Sequence, residues 1–276
     1  MPDLAKLFDG VKLFDAYSLR ARVCPALLAF LPTLALLFVL VPWDRLRLSN
    51  TLVSVMSLVL LYAATDLAQR RGKVVEVKLG TRTSPEIWHR NDPAIPEPSK
   101  ARYRAFVAAK ISVPVPAEQD EQTQLQQANA FYLAAADWLR ENTRDHKRFS
   151  ILFDNLISYG YRRNLLGLKP VALVCNGFVA SSAAAILWLQ PPLFTRIEDL
   201  NEKLLGVTVA VVLHSAYMLF AVTAAPVRDA SRTYGRRLAL SCEGLLAADP
   251  KATSKPKSPR AASKKGLSKA HKSGPA

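Results

Sequence analysis

Apolar residues along this chain collect into four uninterrupted runs separated by charged stretches. Val23 to Trp43 is free of charge over 21 positions, Leu48 to Thr65 over 18, Pro170 to Thr195 over 26 and Leu204 to Val227 over 24. About 20 helical residues cover a hydrocarbon core roughly 30 Å thick. A helix of that length in a soluble protein carries a polar face, and these do not. The pattern predicts an all-α polytopic membrane protein with four transmembrane helices, arranged as two hairpins over 23–67 and 170–227. Pro32 predicts a kink in the first helix. Pro170 reads as the first residue of the third, and Pro191-Pro192 end it near Leu189. The first run starts at residue 23 and exceeds a signal-peptide core, so no cleavable leader is expected.

Between the hairpins, residues 68–169 read as a helical cytosolic insert. Its first part, Val74 to Pro98, is proline-rich and irregular, with one weak alternation (V-V-E-V-K-L, Val74 to Leu79) that predicts a short strand. Helices are predicted over Ser99 to Ile111 and Ala117 to Asp145. The second of these has a stripe of Leu125, Ala128, Tyr132, Ala135 and Leu139. A further amphipathic pattern through Phe149, Leu152, Phe153, Leu156, Tyr159 and Tyr161 is expected to pack against that stripe as a helical hairpin. Residues 1–22 place Leu4, Leu7, Phe8, Val11 and Phe14 on one face, as an interfacial helix does. Residues 228–276 are basic, and from Lys251 they hold one large apolar residue, Leu267. Such a tail is expected to be largely disordered.

Charge then sets the orientation. The 276 residues carry a net +15, and the Lys and Arg nearest the apolar runs fall mostly on one side. Arg20, Arg22, Arg70, Arg71, Lys73, Arg162, Arg163, Lys169, Arg228, Arg232, Arg236 and Arg237 face Arg45, Arg47, Arg196 and Lys203 across the bilayer. The positive-inside rule places both termini and the insert in the cytoplasm of a bacterial inner membrane. Anionic lipid headgroups are the expected partners of the basic juxtamembrane residues Arg70, Arg71, Arg162, Arg163 and Lys169, with a nucleotide messenger as the sharper alternative. Nucleic acid is expected only as a non-specific partner of the tail.

Candidate chemistry is sparse. Cys24, Cys175 and Cys242 form no C-x-x-C pair, and no H-E-x-x-H, Walker or dinucleotide motif occurs, so no metal, cofactor or catalytic residue is expected. Two polar residues lie inside apolar runs, where they are costly: Asn176 and His214. His214 reads either as lining an aqueous path or as a neutral imidazole bonded to a neighbouring helix, and Asn176 as interhelical glue. Asp66 and Arg70 are spaced for an i,i+4 ion pair. Small residues around Ala180, Ser181 and Ala184 invite close helix packing, within or between copies, and a homo-oligomer is expected.

The segment T-R-D-H-K-R-F-S-I-L-F-D-N-L-I-S-Y-G-Y-R-R-N-L-L-G-L-K-P (Thr143 to Pro170) resembles one found in uncharacterised bacterial inner-membrane proteins with paired spans around a cytosolic insert. In architecture alone, the two-plus-two plan resembles the predicted pore-forming, four-span effectors of antiphage systems. The resemblance implies a non-enzymatic, oligomeric, membrane-disrupting or pore-like effector controlled by its cytosolic domain. Two alternatives stand beside it. One is a scaffold recruiting a cytosolic protein partner. The other is a membrane enzyme acting on lipid or cell-wall precursors through His89, Asp92, Asp145 and His146.

Overall fold

The structure, a computed structural model, describes residues 15–41, 50–81, 85–192, 194 and 197–248. The interfacial segment expected before residue 15, the connection between the first two apolar runs with Arg45 and Arg47, Arg196, and the tail beyond 248 lie outside the described residues. Every regular element described is helical: α1 (Ala16–Ala29), α2 (Leu31–Leu40), α3 (Asn50–Leu79), α4 (Glu97–Ile111), α5 (Glu118–Thr123), α6 (Leu125–Asn142), α7 (Ser150–Leu189), α8 (Leu200–Ala221) and α9 (Ala224–Ala248). Three of them, α3, α7 and α8, are long and apolar enough to cross a membrane. The pair α1 and α2, bent by 56°, passes the same test if taken together.

The bend falls at Phe30, between Pro25 and Pro32. Each proline lacks the N–H that would reach the carbonyl four residues back. The expected kink near Pro32 is thus a break between two helices. Both apolar ends of the bend pack on α7: Ala26 and Ala29 with Leu165, Leu168 and Ala172, and Leu36 with Val179 and Ala183, joined there by Leu204, Val207 and Val211 of α8.

Pro170 does not start a helix. α7 runs through it for 40 residues, a rod of roughly 60 Å at 1.5 Å per residue. One missing hydrogen bond does not stop a helix whose flanks are packed on both sides. α3 likewise runs past the expected membrane boundary, and Val74 to Leu79 are helical rather than a strand. The alternation there is too short to outweigh continuation of an existing helix. Gly80 (φ 64°) stops it, with Thr81 N–H donating to the Glu76 carbonyl (3.1 Å) and Gly80 N–H to that of Val77 (3.3 Å). This is a Schellman stop, which needs a residue at positive φ.

The insert has its own core. Ile87, Trp88 and Ile95 from the irregular segment meet Tyr103 and Val107 of α4, and Ala128, Phe131, Tyr132, Ala135 and Leu139 of α6. Tyr234, Leu238, Ala239 and Cys242 of α9 complete it. Two readings change here. The stripe of α6 from Ala128 to Leu139 packs on Trp88, α4 and α9, whereas Leu125 at its start is exposed, and α7 lends that core only Leu152 among its buried residues. Residues 228–248, read as the start of a largely disordered tail, belong to α9, whose apolar face the core needs. The break in the predicted helix at Gln124 separates α5 from α6.

Two buried cations hold the proline-rich segment against this core. Lys100, 1% exposed, donates from Nζ to the carbonyls of His89, Arg90 (3.1 Å) and Asp92 (2.8 Å). Arg104, 2% exposed, donates to the Trp88 carbonyl (2.8 Å) and pairs with Glu97. Carbonyls that no helix or sheet satisfies thus find buried donors, as they must away from water.

Candidate functional site

The intramembrane polar residues come together. Asn176 on α7 donates from Nδ2 to His214 Nδ1 (2.9 Å) and to Ser215 Oγ (2.8 Å) on α8. The other ring nitrogen, His214 Nε2, reaches the Leu28 carbonyl at 2.9 Å. A carbonyl only accepts, so Nε2 carries the proton and Nδ1 is free to accept from the amide. That describes a neutral imidazole. Leu28 is the residue four before Pro32, so the imidazole supplies the N–H that the proline withholds. The broken pair α1–α2 is thereby pinned to α8 and α7.

The same device recurs twice nearer the insert. Pro25 has no N–H for the carbonyl of Ala21, and Asn164 of α7 donates to it at 2.7 Å. Pro226 has none for that of Val222, where α8 gives way to α9; Lys169 Nζ bonds it at 3.0 Å and the Leu219 carbonyl at 3.1 Å. Arg162 donates to the carbonyl of Pro226 itself (3.2 Å). Each of these carbonyls, deprived of its N–H by a proline, is satisfied by a polar side chain of α7 or α8, which is how prolines are tolerated where water is scarce.

Around Asn164, α3 and α7 cross at glycines. A Cβ on Gly167 would fall 2.6 Å from the carbonyl carbon of Arg71 and 2.7 Å from the amide nitrogen of Gly72. One on Gly72 would fall 1.9 Å from Asn164 Oδ1. That oxygen is buried without a conventional donor, and the missing Cβ lets the Gly72 Cα–H face it. Just below, Arg163 pairs with Glu76 across the two helices, both largely buried. Tyr159 O–H donates to Glu76 (3.2 Å) and shares a hydrogen bond with Thr81 Oγ1 (2.9 Å); Ser231 of α9 donates to the Thr81 carbonyl (2.8 Å). Burial pushes the Tyr159 phenol up to about 12, with Glu76 adding to the rise. The chain Arg163–Glu76–Tyr159–Thr81–Ser231 ties α7, α3 and α9 together.

The basic residues therefore part company. Arg70 pairs with Asp66 at 2.7 Å, the i,i+4 bond its spacing predicts. Arg163 is neutralised by Glu76, and Arg162, which donates to the Pro226 carbonyl, keeps its charge. Arg71 and Lys169, with Lys78, line a cleft between α3 and α7, of whose lining Arg162 forms no part. Sequence reading did not single out Asn164, Glu76 or Lys78. A lone carboxylate among Arg70, Arg71, Lys73 and Lys78 is the signal that marks Glu76 in retrospect.

In the insert, Glu121 accepts from the Arg90 side chain (2.5 Å), from its backbone N–H (2.9 Å) and from Tyr132 O–H. Burial works to raise the Glu121 carboxyl, but the Tyr132 bond, the Arg90 N–H and the Arg90 charge outweigh it and hold the group below the usual carboxylate range. His89 bonds Asn129 (2.8 Å), Asp92 pairs with Arg232 (3.0 Å), Asp145 accepts from the N–H groups of Lys147 and Arg148, and His146 stacks on Phe153. Among the described residues no group of three or more His, Cys, Asp and Glu is placed to hold a metal ion.

Comparison with known proteins gives no matching family model, and no curated protein or solved structure matches the chain.

The intramembrane junction makes a direct prediction. His214→Ala and Asn176→Ala each strand a polar partner, so each is expected to cost about 1–2 kcal/mol, the upper part of the range for interhelical bonds in lipid. The double variant should cost less than the sum of the two, because both changes remove the shared Asn176–His214 bond, while each also loses a bond of its own, to Ser215 and to the Leu28 carbonyl. Unfolding of the purified protein in mixed micelles checks it; full additivity would mean that the two side chains act separately.

Proposed function

We propose that this chain is a four-span protein of the bacterial inner membrane that assembles through α3 and acts, without catalysis of its own, as a pore-like effector governed by its insert. In this reading α1–α2 with α3, and α7 with α8, form the two hairpins, and the insert and both termini face the cytoplasm. The observation that carries it is the state of α3. Only 11% of its apolar window is buried, against 28% in α7 and in α8. Leu52, Val55, Met56, Val59, Leu60 and Tyr62 are all exposed.

The upper half of α3 stands away from the other helices. A cavity of about 600 Å³ opens between it and the bend, lined by Phe30, Thr33, Leu34, Ser57, Leu60 and Leu61. Thr33 Oγ1 is buried there without a partner. A second copy fits this face, since helix association in lipid relies on close packing and hydroxyl bonds more than on apolar area. Control by the insert follows from continuity. α7 enters both the core of the insert and the bundle, and α9 closes that core directly after the last span.

Val59→Cys, in a chain whose Cys24, Cys175 and Cys242 are replaced by Ser, tests the assembly. Oxidation of membranes should give a disulfide-linked dimer, and induced expression of the unaltered chain should collapse the membrane potential read by a voltage-sensitive dye. Monomer alone together with an undisturbed potential would refute the reading. A scaffold role draws its support from Val113, Leu125 and Leu133, which are exposed on the insert. Capture of one stoichiometric cytosolic protein by the full chain, lost in Leu125→Asp/Leu133→Asp, would favour that role.

A further inference from the structure

The cleft between α3 and α7 sorts its lining along its length. At the end toward the middle of α7 lie Pro170 and Leu173; Arg71 and Lys169 come next, beside Leu166 and Gly167; Lys78 lies at the end toward the insert, among Val74, Val75 and Leu79. The cavity holds about 500 Å³, and Ala224, at the joint between α8 and α9, forms part of its wall. Its lining contains three cations and no carboxylate. The nearest candidates for neutralising them are engaged: Glu76 with Arg163 and Asp66 with Arg70. Lys169 uses two of its three Nζ donors on the carbonyls of Leu219 and Val222, which leaves one donor and the full charge.

Apolar at one end, doubly cationic in the middle and with a third cation set among apolar side chains beyond, the cleft offers a phospholipid a place for its phosphate with apolar wall beside it. From this geometry we infer that the cleft binds one anionic phospholipid of the inner leaflet. Its phosphate sits between Arg71 and Lys169, its headgroup reaches Lys78, and an acyl chain runs along Leu166 and Leu173. The inference rests on the reading that the insert faces that leaflet. It narrows the five basic residues expected from sequence to Arg71 and Lys169, and adds Lys78.

The consequence is local. Lys169 is also the side chain that closes the break before Pro226, so a phosphate on its third donor bears on the joint where the last span hands over to α9. A bound lipid therefore stabilises the arrangement in which α9 completes the core of the insert. A neutral lipid offers no net charge to the three cations and does not do this.

Native mass spectrometry of the full chain, titrated separately with phosphatidylglycerol, phosphatidylcholine and inorganic phosphate, tests the site. One phosphatidylglycerol per chain is expected, with phosphatidylcholine retained much less. Arg71→Gln/Lys78→Gln should weaken phosphatidylglycerol by roughly thirtyfold, while Arg144→Gln, an exposed position on the insert, changes nothing. If the double variant does not fold, Lys78→Gln alone should give about fivefold. Equal binding by wild type and variant, equal retention of phosphatidylcholine, or displacement by inorganic phosphate at matching concentrations would overturn the proposal, the last by showing a site for soluble anions. The same spectra report subunit number. Lipid lost with oligomers intact refutes this site alone, and lipid retained on a monomer refutes only the assembly through α3.

Discussion

Gly167→Ala is expected to lower the stability of the protein by about 3 kcal/mol, at the upper end of what one added methyl costs in a packed interior. The reason is the identity of what the methyl meets. Most overpacking is relieved when a neighbouring side chain rotates, but here the nearest atoms are the carbonyl carbon of Arg71 and the amide nitrogen of Gly72, at 2.6 and 2.7 Å. Backbone of α3 has to move. Moving it also pulls Gly72 from Asn164, whose Nδ2 holds the carbonyl freed by Pro25. The midpoint of thermal unfolding, followed by size-exclusion of the detergent-solubilised protein, should fall by roughly 6–12 °C. Gly177→Ala lies on the same helix, where a Cβ meets nothing within 4 Å, and should leave the midpoint unchanged or raise it. Equal midpoints for Gly167→Ala and wild type would mean that α3 and α7 do not cross at these glycines.

Lys100→Met is expected to cost about 3–5 kcal/mol and to loosen the insert without disturbing the bundle. Methionine fills a similar volume, so packing is nearly conserved. What is lost is the ammonium that serves three carbonyls within the 89–92 turn, at a position 1% exposed to water. The Arg90 and Asp92 carbonyls then lose the ammonium, the His89 carbonyl keeps only the Asp92 N–H (3.2 Å), and Trp88 and Ile95 on either side lose their anchorage. Limited proteolysis should show new cleavage within residues 85–96, and tryptophan emission should shift to the red as Trp88 is exposed. Lys100→Arg should not restore the fold, because a planar guanidinium cannot point three donors into so tight a turn. Lys147→Met, at an exposed position, is the matched control. Resistance of Lys100→Met to protease at the wild-type level would contradict this account.

The two cases show how unevenly the molecule can be read from its sequence. The apolar runs were plain, because lipid demands about 20 residues without charge whatever surrounds them. The i,i+4 bond between Asp66 and Arg70, the stop of α7 at Leu189 and the buried stripe of α6 from Ala128 to Leu139 were legible for a similar reason: each depends only on neighbours within a turn or two. Asn176 and His214 stood out because a polar group within an apolar run has to find a partner. Nothing in the spacing said that the partner of His214 would be a carbonyl 186 residues away, or that Pro32 would be what freed it.

By itself the sequence determined the helical character of the chain, the number and length of its apolar runs and which residues would be costly inside them, since these follow from local periodicity and from the solvent each side chain tolerates. Only the tertiary structure decided that α3 and α7 cross at Gly72 and Gly167, that α9 belongs to the core of the insert, and that the basic residues divide into those already paired and those facing a cleft. Such outcomes depend on which surfaces meet. A stripe of apolar residues states that a face will be covered, and a charge states that it needs a partner, but the chain has to fold before either can find out which one.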